Sequence, residues 1–260
     1  MNKNKLTSYE SLFLGIIGGT SETVIQMPLL TYKFSLQNNI KLPSNLLGWY
    51  RGVLIQSFNV APITAFQMMS NTFLTNNLIK NREIKYNEKI VIASFSGGLS
   101  SLFYNPIDLI TIQQQLQQKN TKYIINNILK QYNSLTFFKG LTPCVIRESI
   151  YAGGYLGMAP VISHTLQQHL EIDKFKTNII GSLITGTCSS LITHPFDVVK
   201  TVIQSNLGKK QSLFPTMRYL LSKYGIGYLY KGGLPRVLKT CGAFYIYIYV
   251  EDLYINFKNI

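Results

Sequence analysis

The 260-residue sequence predicts an all-α membrane protein: six transmembrane helices built as three tandem helix-pair repeats related by pseudo-threefold symmetry. Three observations carry that reading. The first is a proline stretch that recurs. His194-Pro195-Phe196-Asp197-Val198-Val199-Lys200 runs on to Gln204, and Asn105-Pro106-Ile107-Asp108-Leu109-Ile110-Thr111 runs on to Gln115. Met27-Pro28-Leu29-Leu30-Thr31-Tyr32-Lys33 leads likewise to Gln37, and each glutamine follows its proline by nine residues. The prolines stand 78 and 89 residues apart (28 to 106, 106 to 195). The second is an aromatic-basic-Gly triplet at Tyr50-Arg51-Gly52, Phe138-Lys139-Gly140 and Tyr230-Lys231-Gly232, 22 to 35 residues after each proline. Self-similarity of this kind outranks any local signal when a fold is assigned. The third is composition: charged residues make up 14% of the chain, well under the ~25% of soluble domains. A mean hydropathy of +0.11 agrees without forcing the assignment.

Taken in order, the spans read approximately 8–37, 54–78, 88–117, 142–168, 177–205 and 235–257, in one transmembrane domain covering 1–260. The repeats are then approximately 8–80, 87–169 and 176–257. The odd-numbered spans hold the prolines, each of which removes a backbone hydrogen bond and bends its helix. Their early turns carry Gly15, Gly18 and Gly19, then Gly97 and Gly98, then Gly181 and Gly186. Small residues let membrane helices approach closely where hydrophobic burial offers no drive. Segments 38–53, 118–140 and 206–233 are polar, basic and long enough for a short surface helix each, whereas 79–87 and 169–176 are short turns. The long loops gather Lys119, Lys122, Lys130, Lys209, Lys210, Arg218 and Lys223 on one side of the membrane. An even number of spans leaves both termini on the other.

The net charge of +14 raises the question of nucleic acid. The basic residues are dispersed singly through loops and form no stripe, which suits an anionic, cardiolipin-rich membrane and argues against a nucleic-acid partner. Cys144, Cys188 and Cys241 are odd in number without C-x-x-C spacing, so they read as reduced thiols, with no metal and no disulfide framework. His164, His169 and His194 form no H-E-x-x-H, and neither a P-loop nor G-x-S-x-G occurs. No enzyme is expected. No cleavable signal precedes the first span, and Met1 to Lys5 lead almost directly into it.

The tripartite pattern resembles the mitochondrial carrier family over nearly the whole chain. Three copies of the P-x-[DE]-x-x-[KR] signature, complete at Pro195 and lacking one charge each at Pro28 and Pro106, are with three glutamines and three [YF]-[KR]-G marks together highly specific, where one alone is weak. The resemblance implies a monomeric six-helix bundle in the mitochondrial inner membrane, moving a small solute by alternating access. Long loops then face the matrix, the surface helices lie there, and cardiolipin binds near Gly52, Gly140 and Gly232. It further implies a matrix gate in which Asp108 pairs with Lys200, and Asp197 with Lys33, braced by Gln37, Gln115 and Gln204. The third pair falls on Leu30 and Thr111, neither of which ionises, so no charge is stranded. Gln113 and Gln114 are expected to be ordinary exposed glutamines. The family's cytosolic gate falls on Thr72 and Thr75, Pro160 and Ser163, and Glu251 and Tyr254, which leaves that side nearly without ion pairs. A resting state open to the cytosol follows.

In the family, solute contacts lie seven residues after the Gly of each triplet, here Asn59, Arg147 with Glu148, and Lys239. The residues point the same way, since Arg147 and Glu148 are the only charges between Lys139 and Glu171. An ionised residue in mid-span marks function by default. The bland alternatives are an Arg147–Glu148 structural network, an anchoring pair of Arg236 and Lys239, and an Asn59 that satisfies the backbone freed by Pro62. An Arg beside an acid resembles carriers of amino acids: Arg147 and Lys239 hold a carboxylate and Glu148 an ammonium. The expected solute is amino-acid-like or a small carboxylate. Other readings are a carrier of a nucleotide or cofactor, and a degenerate scaffold or receptor without transport.

Overall fold

The computed structural model describes residues 6–38, 43–50, 53–78, 84–117, 119–170, 173–209, 211–230 and 233–258. In chain order the helices are α1 (Ser8–Asn38), α2 (Leu46–Trp49), α3 (Val53–Leu78), α4 (Tyr86–Gln117) and α5 (Thr121–Gln131). A 3₁₀ turn (Ser134–Phe138) leads to α6 (Leu141–Ala152), a π turn (Gly153–Met158) and α7 (Ala159–Leu170). The chain ends with α8 (Lys174–Ser205), α9 (Leu213–Tyr224), α10 (Ile226–Leu229) and α11 (Gly233–Lys258). No strand occurs among the described residues, and the long helices begin and end within three residues of the expected spans. By length and composition, Ser8–Leu29 and Tyr86–Gln114 are apolar enough to cross a membrane.

Local chemistry sets several helix ends. Thr7 and Glu10 open α1 as a capping box: Glu10 Oε2 accepts from the Thr7 N–H at 2.7 Å, and Thr7 Oγ1 accepts from the Glu10 N–H at 3.2 Å. Asp173 caps α8 by accepting from the Phe175 N–H at 3.2 Å. Beyond the other end of α8, Lys139 Nζ donates to the carbonyls of Asn206 (2.5 Å), Leu207 (2.8 Å) and Lys209 (2.6 Å), where a cation is favoured. Burial pulls the Lys139 ammonium below its usual pKa. Gly140, at φ +79°, makes the left-handed turn that separates the 3₁₀ turn from α6.

The long helices pack in succession: α1 on α3, α4 on α6, α8 on α11. Contacts of α3 with α4, α6 with α8, and α11 with α1 close a ring. The glycines set the spacing. A Cβ on Gly15 would lie 2.3 Å from Ala65 Cα, one on Gly97 2.2 Å from the Glu148 carbonyl oxygen, and one on Gly186 2.8 Å from Cys241 Cα. The short helices dock by small apolar seams, α5 through Ile124 and Ile128 on Leu109, and α9 through Leu213 and Leu220 on Val199 and Ile203. Glu10 meets Lys258 at 2.8 Å and Tyr254 at 2.9 Å, so α1 starts where α11 ends.

Polarity is inverted relative to a water-soluble bundle. Phe13, Val24, Ile25, Phe58, Phe73, Phe95, Phe103, Leu191 and Ile192 face outward, while Thr23, Gln26, Gln67, Ser96, Ser100, Asn105, Ser189 and Thr193 are buried. Water would drive the opposite arrangement, whereas hydrocarbon rewards this one.

Two expectations need correction. The expected fourth span is not one regular helix, because Gly153, Gly154 and Gly157 unwind its middle into the π turn. Those glycines seat the turn against Ser94, Ser189 with Phe244, and Ile90, where side chains would collide. The expected opening toward the termini is filled: Leu14, Met68, Tyr155, Phe244 and Tyr247 pack there as one buried cluster.

Candidate functional site

Below that cluster, away from the termini, charged side chains from α6, α8 and α11 meet. α6 projects Arg147 and Glu148 into the ring. Arg147 Nη2 donates to Glu148 Oε1, and Nη1 donates to Asp197 Oδ1 of α8 at 2.7 Å. Its guanidinium lies over the ring of Tyr104, 4.4 Å from the centroid. Asp197 Oδ2 also meets Arg236 Nη1 of α11 at 2.6 Å, and Arg236 Nη2 donates to Thr193 Oγ1 at 2.9 Å. Glu148 Oε2 accepts from Gln67 Nε2 of α3 at 3.0 Å; the same amide reaches Ser100 Oγ at 2.8 Å and accepts from the Tyr155 hydroxyl at 2.9 Å. Every polar atom of Arg147 except Nε thus has a partner.

A second group spans α1 and α11. Lys239 Nζ stands 3.7 Å from Glu22 Oε1, and the Tyr247 hydroxyl donates to Glu22 Oε2. Gln26, one turn along α1, donates to the Lys239 carbonyl at 3.0 Å, and its own Oε1 is buried without a partner. Nearer the prolines, Lys200 Nζ donates to Asp108 Oδ2 and lies over Tyr104, 4.5 Å from the ring centroid.

The expected site residues are therefore distributed as follows. Asp108 and Lys200 meet across α4 and α8, and Arg147 and Glu148 meet on α6. Lys239 of α11 is paired with Glu22 of α1, and Asn59 is half-buried on α3 outside both groups. Asp197 binds Arg147 and Arg236; the side chains of Lys33, Gln37, Gln115 and Leu30 lie outside the described residues. Gln204 Nε2 donates to Asn105 Oδ1 (3.0 Å) and to the Lys139 carbonyl (3.2 Å), tying α8 to the α5–α6 connection and touching neither carboxylate. Gly52 and Gly232 also lie outside the described residues.

Gln113 corrects an expectation. It is buried and donates to the carbonyls of Gln204 (2.7 Å) and Ser205 (3.3 Å), so it joins α4 to α8. The terminal end is corrected as well. Thr72 bonds Ser11 (2.6 Å) and Ser163 the Thr177 carbonyl (3.2 Å), but ion pairs come from other positions: Glu10–Lys258 and Lys174–Asp252, each at 2.8 Å. Glu10 and Lys174 stand in the first turns of α1 and α8, and Asp252 and Lys258 in the last two turns of α11.

A family model described as mitochondrial carrier protein matches residues 82–170 and 173–259, well over half the chain. The chain belongs to the mitochondrial carrier family. It is a multi-pass protein of the mitochondrial inner membrane and a solute transporter. The probable mitochondrial 2-oxodicarboxylate carrier of Dictyostelium discoideum is 27% identical over 89% of this chain and 85% of that protein. The mitochondrial aspartate-glutamate transporter of Saccharomyces cerevisiae is 25% identical over 89% of this chain, which spans 28% of that longer protein. The mitochondrial thiamine pyrophosphate carrier of Candida albicans is 25% identical over 71% of this chain and 67% of its own.

This carrier's interior also holds Glu22, Gln67 and Tyr104, none of them among the expected site residues. A signal existed for Glu22, the only charge between Glu10 and Lys33 and as isolated in its span as Arg147 and Glu148. Gln67 and Gln113 carried none, since an amide in mid-helix looks alike whether it faces the path or a neighbouring helix.

Proposed function

We propose that this carrier moves a small amino-acid-like or carboxylate solute across the inner membrane, by alternating access through a single six-span bundle of three repeats. The observation that carries the reading is charge balance. Among the described residues, Arg147, Lys200, Arg236 and Lys239 stand against Glu22, Asp108, Glu148 and Asp197 in the two buried groups and the Asp108–Lys200 pair. A polyanionic nucleotide needs an excess of cations there, whereas a zwitterion or small carboxylate exchanges contacts without stranding much charge. The relatives named for 2-oxodicarboxylates and for aspartate and glutamate fall in the same chemical range.

Arg147, Glu148 and Lys239 form the solute site, with Asn59 on its third side. Asp108, Lys200 and Asp197, together with Lys33, Gln37, Gln115 and Gln204, form the matrix gate. The long basic loops face the matrix, cardiolipin binds near Gly52, Gly140 and Gly232, and the carrier works as a monomer. The test is thermal stabilisation in detergent against amino acids, keto acids, nucleotides and cofactors, since a true solute raises stability by RT ln(1 + [L]/Kd). Stabilisation by an amino acid or carboxylate, followed by its uptake into proteoliposomes, is the expected result. A shift with nucleotides alone overturns the solute class, and no shift with any solute favours a scaffold.

A further inference from the structure

Two of the interior's acid–base pairs, Arg147–Glu148 and Glu22–Lys239, are not equivalent. Both carboxylate oxygens of Glu148 and both Nη groups of Arg147 are committed, to each other, to Gln67 and to Asp197. A solute entering there must displace one of these partners. The Glu22–Lys239 pair is open by comparison. At 3.7 Å it is an ion pair without a hydrogen bond. Beside it lies the buried Oε1 of Gln26, an acceptor with nothing to accept. Glu22 and Gln26 are one turn apart on α1, so their oxygens share a face. The Tyr247 hydroxyl holds the far oxygen of Glu22, and the Tyr247 ring is itself seated on Gly18, where a Cβ would come within 2.7 Å.

We infer that the Glu22–Lys239 pair reads the solute as a zwitterion, with the ammonium on Glu22 and Gln26 Oε1 and the carboxylate on Lys239. The assignment rests on the amino-acid-like reading above and moves the ammonium contact from Glu148 to the first helix. Its chemistry is an exchange. One long contact between Glu22 and Lys239 gives way to short ones on both ends of the solute, and the orphaned Gln26 oxygen gains an N–H donor. Net charge in the site does not change, so neither side chain is stranded. A 2-oxo acid, lacking the ammonium, leaves Gln26 Oε1 empty and sets its charge against Glu22.

Matched solutes test this: alanine with pyruvate, glutamate with 2-oxoglutarate, and leucine with 4-methyl-2-oxopentanoate. Each is measured by thermal shift and by uptake, in the wild type, Glu22→Gln, Gln26→Met and Glu148→Gln. The wild type is expected to prefer at least one amino acid over its oxo acid. Glu22→Gln should lower that preference roughly 10- to 100-fold, the range of a charge-assisted hydrogen bond. Gln26→Met should lower it less, and Glu148→Gln should weaken both members of a pair alike. Should Glu22→Gln fail to fold, Glu22→Asp is measured in its place, because it keeps the charge and withdraws it by one methylene. A preference unchanged in the Glu22 variant overturns the inference and leaves the amino-acid reading standing. A wild type that favours the oxo acids also overturns it, in favour of a plain carboxylate. A wild type that responds to neither member of any pair removes both.

Discussion

Lys200 shows how narrow the electrostatic margins are at a single residue. Its side chain is 1% exposed and holds one carboxylate, Asp108, above the face of Tyr104. Removing one member of a buried ion pair costs about 3–5 kcal/mol, because the other is left charged and dry. Asp108→Asn should therefore lower the melting temperature in detergent sharply, and Asp108→Asn with Lys200→Met should recover most of the loss. A single variant that melts like the wild type would show that the pair contributes nothing. Asp197 adds a second case, since it neutralises Arg147 and Arg236 together. Asp197→Asn should reduce folded yield, and adding Arg236→Gln should return part of it; a double-mutant cycle without coupling would contradict this. These contacts were unequally legible. The Asp108–Lys200 contact was implied by the resemblance to mitochondrial carriers, in which the acid after one proline pairs with the base after the next. The hold of Arg236 on Asp197 was not, since it depends on how far α11 is turned toward α8.

At the scale of the helix, glycine positions decide which pairs can form at all. Gly97 brings α4 within touching distance of the Glu148 carbonyl. A methyl group there forces apart two helices that carry site residues, an overpacking that costs typically about 1–3 kcal/mol. Gly97→Ala should lower both folded yield and solute response, whereas Gly227→Ala on α10, with nothing within 4 Å, should leave both unchanged. Equal behaviour of the two variants would mean that close approach at Gly97 is unimportant. Helix positions were readable because long apolar runs, punctuated by polar basic loops, leave few places to begin or end. The π turn was not, because Gly153, Gly154 and Gly157 read equally as close-packing residues in a regular helix.

Across the whole molecule, the interior is layered from the termini inward: ion pairs at the rim, an aromatic layer, the charged groups, then the Asp108–Lys200 pair. The aromatic layer fills the end of the bundle at which the expected positions supply no ion pairs. Tyr155 lies 4.9 Å from Tyr247 and 5.8 Å from Phe244 between ring centroids, and Phe244 is fully buried. Under the alternating access proposed above, a solute entering from the side of the termini passes this layer, and its packing belongs to the closed arrangement and is lost on opening. Truncating Phe244 to alanine then costs about 3–5 kcal/mol in the closed form and less in the open one, which shifts the population toward opening. The readout is a cysteine at position 59 in a background with Cys144, Cys188 and Cys241 replaced by serine, labelled in proteoliposomes by an impermeant maleimide. With Phe244→Ala, labelling from the side of the termini should accelerate several-fold while the melting temperature falls. If the variant melts earlier but labels no faster, the aromatic layer only packs the bundle, and the closure on that side belongs to Glu10–Lys258 and Lys174–Asp252 at the rim.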